Sequence, residues 1–397
     1  MTIAPTRSTQ DEIERQLPTV SQEFAFTDDF LELKAMLKDF CADVSPEEVI
    51  RNTMTSPEGY DRGLWQRLGT ELGVLGLAVP AEYGGEGAGL VFTAAVVEEL
   101  GAALLCGPVL GTLCLAIPAL TALPDADVRD RYLPSLISGE RVATLAITTS
   151  NGTFDADKLT VSARPTDTGW VLDGTVEQVV DGAAADIVLV AARTAAGTAL
   201  FAVDRGADGL ERTPLSTLDL TRRQARVSFK ECRADLLAPE PEAPQVCTRA
   251  LLTACTLLAA EQVGGSQKML EATVEHVGSR LQFGQPVGAF QAVKHRCANM
   301  LVALEQARSA AYHAAWALDD GTDDPQLATS LARVVASEAY LWISTSAIQL
   351  HGGLGFTWEG LPHLYFKRAT TDGLILGTVE DHVELVAAVA IDNDGQG

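Results

Sequence analysis

Hydrophobic residues recur at three- and four-residue intervals through the first third of the chain. In the stretch DDFLELKAMLKDFCADV, the positions with this spacing are Phe30, Leu33, Met36, Leu37 and Phe40. Such positions share one face of an α-helix. Residues 1–24 are instead polar and aperiodic. The pattern predicts a flexible tail over 1–24 and a helical N-terminal domain over 25–140.

The pattern changes at about Val142, where short β-branched runs replace the helical spacing. Examples are LTVSARP, GWVLDGTVEQV, ADIVLVAART and RQARVSFKE, which are separated by Gly, Asp and Thr turns. Runs of this length and composition are typical of strands in a sandwich or small barrel. Residues 141–240 are therefore predicted to form a middle β domain.

Helical spacing returns after the proline-rich APEPEAPQ and persists over 241–392. One long helix is predicted around the paired glycines Gly264 and Gly265, which we expect to serve close backbone packing or ligand approach. A second long helix is predicted to end at the glycines that follow His351. The order of helices, strands and helices predicts an α+β fold in three parts.

Composition and charge narrow the possible partners. The formal net charge is −24, so the surface repels nucleic acid and anionic membranes. We see no apolar run of the roughly 18–20 residues that span a bilayer, and the first residues lack the apolar core of a secretory signal. The seven cysteines are scattered without metal-ligand spacing, so we expect a cytoplasmic chain with no metal site.

Two stretches carry candidate chemistry. In the first, Arg280, Gln282 and Phe283 precede a predicted helix that begins near Gln291. A guanidinium, an amide, an aromatic ring and a helix N-terminus would suit an anion. The alternative is a helix–helix corner with solvated basic residues.

The second stretch is QLHGGLG, in which Gln349 and His351 precede Gly352 and Gly353. Glycines allow a ligand to approach the backbone closely. The alternatives are a simple glycine helix end and a structural role for His351.

Together these stretches resemble the acyl-CoA dehydrogenase family, in the segments LWQRLGTELGVLGLAVPAEYGGEGAG, RLQFGQPVGAFQAVKHRCANM and QLHGGLGFT. The resemblance implies a C-terminal four-helix bundle, FAD as cofactor and an acyl-CoA thioester as substrate, with electron-transfer flavoprotein as acceptor. It also implies that FAD lies between subunits. Residues that would contact the neighbour's FAD are Arg280, Gln282, Phe283, Gln291, Gln349, Gly352 and Gly353.

The chain departs from the family pattern where the catalytic base is expected. One usual base position precedes a Gly-Thr pair and holds Leu376; the other lies on the long helix and holds Ala254. Glu261, Glu380 and Asp381 are candidates for a displaced base, or else surface and packing carboxylates.

A second departure lies in the strands. The family's flavin-binding stretch matches ITTSNGTFD, residues 147–155, without its proline. Val179 stands where an aromatic residue would cover the flavin. The flavin half of the site in this subunit therefore looks degraded.

These departures lead to three hypotheses. The first is an α2β2 complex, as in sterol-side-chain relatives, in which this chain completes the FAD nucleotide site and a Glu-bearing paralogue supplies the base. The second is an active homo-oligomer with a relocated base. The third is a flavin-free scaffold or regulator.

Overall fold

The computed structural model describes residues 26–147, 149–150, 153–321 and 323–392. The predicted tail over 1–24 lies outside the described residues. The first part of the fold is helical, with a π-helical turn over Val109–Ala116. Its α-helices are α1 (Asp28–Val44), α2 (Glu47–Thr55), α3 (Arg62–Thr70), α4 (Leu90–Ala102), α5 (Ile117–Thr121) and α6 (Ala126–Ile137).

Strands follow the helices, as the β-branched runs predicted. They are β1 (Ala143–Ala146), β2 (Thr149–Ser150), β3 (Thr153–Phe154), β4 (Val161–Thr166), β5 (Gly169–Val180), β6 (Ile187–Arg193), β7 (Thr198–Asp204), β8 (Leu210–Pro214) and β9 (Gln224–Ala238).

The main sheet closes on itself. The pairings run β6–β4–β5–β9–β7, and β7 returns to pair with β6. β1 joins β6 in parallel and β8 joins β9. Strands β6 and β7 are each buried along six successive residues. One face of these strands lies in the barrel core, and helices cover the other face. The result is the small barrel that was one of the predicted arrangements.

The last part is again helical and contains three long helices. Its elements are α7 (Ala243–Ser279), the hairpin strands β10 (Leu281–Gln282) and β11 (Gln285–Pro286), α8 (Gln291–Asp320), α9 (Pro325–His351), α10 (Gly353–Phe356), α11 (Pro362–Asp372) and α12 (Val379–Asp392). α9 ends at His351 and is capped by Gly352, as the glycines after His351 predicted. The predicted α+β architecture is confirmed.

The paired glycines of α7 let it pack between two other helices. A Cβ atom added to Gly264 would lie 1.8 Å from the Glu98 carbonyl oxygen of α4. A Cβ atom on Gly265 would lie 2.4 Å from the Tyr340 ring of α9. Of the two predicted roles of this pair, close packing is the one that the structure supports.

α7 also corrects one sequence expectation. Among the described residues, α7 is long and apolar enough in composition to cross a membrane. The sequence predicted no apolar segment of that length. The fold buries 83% of its most apolar window. Its apolar residues therefore serve the protein core.

Candidate functional site

The ends of α7 and α9 meet at one end of the helical part. The rings of His276 in α7 and His351 in α9 stack with their centroids 4.3 Å apart. Arg280 caps α7 one turn after His276, and Gly352 caps α9 directly after His351. The fold thus brings the two candidate stretches together, although they are far apart in sequence.

A tight hairpin after α7 carries the next candidates. Leu281 pairs with Pro286 and Gln282 with Gln285. The two residues between them, Phe283 and Gly284, have φ angles of 53° and 78°, the left-handed values that a type I′ hairpin turn requires.

A non-glycine residue with this φ costs about 1–2 kcal/mol. The turn nevertheless holds the Phe283 ring 91% exposed. Residues with strained backbone conformations often lie at ligand-binding sites, and here the strained residue carries an exposed aromatic ring. Gln282 and Gln291 are also exposed.

The glycines after α9 leave the backbone open to a ligand. Gly352 has φ 63° and ψ −135°, a conformation that only glycine adopts readily. Added Cβ atoms on Gly352 and Gly353 would meet no atom within 4 Å. Gln349 is exposed beside them, and its carbonyl accepts a hydrogen bond from the Gly352 N–H.

The two usual base positions lie on segments that contact each other. Leu376 lies between α11 and α12, and its carbonyl accepts a hydrogen bond from the Cys255 thiol at 3.7 Å. Cys255 follows Ala254 on α7. Ala254 is fully buried, and Leu376 packs half-buried against the same hydrophobic core. Two segments distant in sequence thus present alkyl side chains in one region.

The titratable groups beside Leu376 are poorly suited to removing a proton. Burial raises the pKa of Cys255 to about 11, so its thiol stays neutral. Burial and then Arg333 lower the pKa of His382 to about 4. The His382 ring lies 3.3 Å from the Leu376 carbonyl and donates to it.

The carboxylates that follow Leu376 have other surroundings. The Asp381 carboxylate accepts hydrogen bonds from the Thr378 N–H at 2.8 Å and the Thr378 hydroxyl at 3.0 Å. This arrangement caps the first turn of α12. Glu380 is exposed. These contacts favour the surface and packing interpretation of both residues.

Glu261 is held in a buried ionic cluster. Its side chain is nearly inaccessible, and one oxygen accepts from Arg222 at 2.5 Å and also from Arg368. Burial opposes its ionisation, but the two guanidinium groups outweigh burial and hold its pKa well below the usual range of a carboxyl group. A carboxylate with so low a pKa is a weak base. The cluster explains Glu261 as a structural anion, which argues against its candidacy as a displaced base.

Sequence analysis did not identify the other members of this cluster. Arg222 also pairs with Asp372, and Arg368 with Asp219. Arg333 donates to the carbonyls of Asp372 at 2.8 Å and Ile375 at 3.1 Å. The cluster joins the loop before β9 to α7, α9 and α11, and it holds the segment that leads to Leu376. Its residues come from four separate parts of the chain, so no single local pattern signals the cluster.

The strand side of the candidate flavin site is partly described. Thr148, Asn151 and Gly152 of the predicted flavin-binding stretch lie outside the described residues. Val179 is 1% exposed and belongs to the barrel core. Nearby, Asp181 has a φ of 57° and accepts a hydrogen bond from the Gly111 N–H at 3.0 Å. Burial raises the pKa of Asp181 to about 6.

Comparison with known sequences identifies the family. The acyl-CoA dehydrogenase N-terminal domain matches residues 27–140, and the C-terminal domain of the same family matches residues 245–391. The chain is 35% identical over 321 residues to the acyl-CoA dehydrogenase IpdE2 of Mycobacterium tuberculosis, covering 81% of this chain and 84% of that protein. The chain belongs to the acyl-CoA dehydrogenase family.

Another relative of this chain is the acyl-CoA dehydrogenase FadE34 of Mycobacterium tuberculosis. It is 37% identical over 309 residues, which are 77% of this chain and 39% of that protein. Among solved structures, the Tcur3481–Tcur3483 steroid ACAD variant has a TM-score of 0.83 and 29% identity, with 93% of this chain and 99% of that chain covered. The ChsE4–ChsE5 complex from Mycobacterium tuberculosis has a TM-score of 0.83 and 27% identity, with coverage of 92% and 98%.

Family membership confirms the prediction of FAD as cofactor, and the geometry of the chain fits its nucleotide half. An exposed guanidinium, an exposed aromatic ring and two glycines with open space are the groups that a diphosphate and its nucleotide would contact. Val179, by contrast, is buried in the barrel and presents no ring to a flavin. The assignment of individual residues to FAD stays a prediction.

Proposed function

We propose that this chain takes part in FAD-dependent α,β-dehydrogenation of an acyl-CoA thioester as one subunit of a heteromeric complex. In this role it completes the FAD nucleotide site of its partner, a Glu-bearing paralogue that supplies the catalytic base. The observation that carries the proposal is that Leu376 and Ala254, at the two positions where the family places a carboxylate, both carry alkyl side chains. The segments that hold them are in contact through the Cys255 thiol and the Leu376 carbonyl.

The chemistry explains why these positions matter. Removal of the α-proton needs a base whose pKa lies near the working pH, within hydrogen-bond reach of that proton. An alkyl group cannot accept a proton, and the Glu261 carboxylate is committed to Arg222 and Arg368. FAD, when bound, accepts the β-hydride.

The proposed contribution of this chain is to bind the nucleotide of the partner's cofactor. Arg280 would pair with the diphosphate, and the backbone at Gly352 and Gly353 would approach it closely. Phe283 offers a flat apolar surface. Gln282, Gln291 and Gln349 are exposed around these groups and would donate or accept hydrogen bonds.

Relatives support the class of partner and substrate. Two similar structures are of paired proteins, ChsE4–ChsE5 and Tcur3481–Tcur3483, and the second is a steroid ACAD. By this analogy we infer a complex with a paralogue that acts on a steroid-derived acyl-CoA. From the family resemblance we further infer an α2β2 assembly in the cytoplasm that passes electrons to an electron-transfer flavoprotein.

Co-expression tests the assembly. The chain produced alone is expected to carry little or no flavin, because its own flavin side is incomplete. Co-expression with a Glu-bearing paralogue is expected to give a yellow complex with FAD bound. Flavin absorbance and subunit stoichiometry after size-exclusion chromatography are the measurements. A yellow, active homo-oligomer of this chain alone would contradict the proposal.

Arg280→Lys tests the nucleotide contact within that complex. A lysine keeps the charge but loses the paired N–H donors that match a phosphate. We expect the Kd for FAD to rise about tenfold, which corresponds to about 1.4 kcal/mol.

The matched control is Arg164→Lys, an exposed arginine of the barrel paired with Glu231. This control is expected to leave FAD binding unchanged. If the two variants bind FAD with equal Kd values, Arg280 does not contact the nucleotide.

A further inference from the structure

The stacked rings of His276 and His351 lie beside the groups that the proposed function assigns to FAD. Their centroids are 4.3 Å apart and their planes meet at 20°. Arg280 lies one turn beyond the first ring, and Gly352 and Gly353 follow the second directly. Both rings are half-buried, so each retains contact with the surface at this end of the fold.

The surroundings of the pair favour neutral rings in the free chain. Burial, then His351, then Arg280 lower the pKa of His276. Burial lowers the pKa of His351, and a hydrogen bond to the Ala347 carbonyl at 2.7 Å partly opposes this effect. Because a carbonyl only accepts, the neutral His351 ring carries its proton on Nδ1.

Within the described part of the chain, no carboxylate is among the causes of the pKa shifts of the two rings. The charges of His351 and Arg280 lower the pKa of His276, and the pKa of His351 is shifted by burial and by its hydrogen bond to the Ala347 carbonyl. The turn Val287–Ala289, which packs against α7 near this end, contains no titratable side chain. A nearby carboxylate would stabilise a protonated imidazole, and among the described residues no carboxylate raises the pKa of either ring.

We propose that the His276–His351 stack is the proton-accepting part of the diphosphate site, and that one ring takes up a proton when the partner's FAD binds. The inference rests on the proposed function, since it places the diphosphate beside Arg280, Gly352 and Gly353. A doubly charged diphosphate there supplies the negative charge that the pair otherwise lacks. In a chain of net charge −24, anion binding depends on such local cations.

The sign of the pH dependence follows from linkage. Binding raises the pKa of one histidine from a value below the usual 6.5. FAD affinity is then greatest below the pKa of the free chain. It falls as pH rises through the pKa of the complex, by at most about tenfold per pH unit for one proton.

Calorimetric titration of FAD into the flavin-depleted complex tests the inference. Titrations at about pH 7 in two buffers with different ionisation enthalpies give the number of protons taken up. We expect uptake approaching one proton per FAD in the unmodified complex. His276→Phe and His351→Phe each keep a flat ring in the stack, and we expect each to reduce the uptake substantially and to weaken the pH dependence of the Kd.

His313→Gln is the matched control. His313 is a partly exposed histidine of α8 that pairs with Asp323, and its replacement is expected to leave proton uptake unchanged. FAD binding without proton uptake, or uptake that survives both phenylalanine variants, would overturn this inference and leave the proposed function intact. A yellow, active homo-oligomer of this chain alone would instead contradict the proposed function, whatever the histidines do.

Discussion

Replacing Gly264 by alanine is expected to destabilise the folded chain strongly. The added Cβ atom would lie 1.8 Å from the Glu98 carbonyl oxygen and 2.8 Å from the Ala102 nitrogen. Both atoms belong to the backbone of α4, so no side-chain rotation relieves the clash. The helices must separate, which exposes part of the core that they share. We expect a loss of about 3 kcal/mol or more.

Gly278→Ala is the matched control, since Gly278 lies near the end of the same helix and a Cβ atom there meets nothing within 4 Å. Alanine is the better helix former, so this variant is expected to gain up to about 1 kcal/mol. Denaturant midpoints and soluble yield of the co-expressed complex measure both effects. Similar midpoints for the two variants would contradict the close approach of α4 and α7.

Glu261→Gln is expected to produce the second large effect, and it acts on stability. The substitution removes the charge that Arg222 and Arg368 share, and leaves two guanidinium groups in the protein interior with reduced compensation. Breaking a buried ion pair in this way costs about 3–5 kcal/mol. Denaturant unfolding of the complex is the measurement.

The same variant separates a structural anion from a catalytic base. Turnover per bound flavin is expected to change little, because the proposal assigns proton abstraction to the partner. A loss of about 10³-fold in this flavin-normalised turnover would instead support the relocated base. Glu275→Gln, at an exposed position of the same helix, is the control and is expected to shift stability by no more than about 0.5 kcal/mol.

Local sequence patterns predicted a large part of this protein. Helical spacing and short β-branched runs predicted the order of helices, strands and helices, because each element must present apolar residues to the core. The glycines after His351 predicted the end of α9, since few other residues adopt the backbone conformation found at Gly352. The family motifs predicted FAD, and the residues before Gly377 showed that no carboxylate stands at that base position.

Only the tertiary structure decided how distant segments meet. The sequence offered Glu261 as a candidate base, and only the fold places it between Arg222, from the loop before β9, and Arg368, from α11. The packing of the helices likewise brings Cys255 into contact with Leu376 and stacks His276 on His351. The pKa of a buried group depends on charges brought near it by packing, and local spacing carries no record of those neighbours.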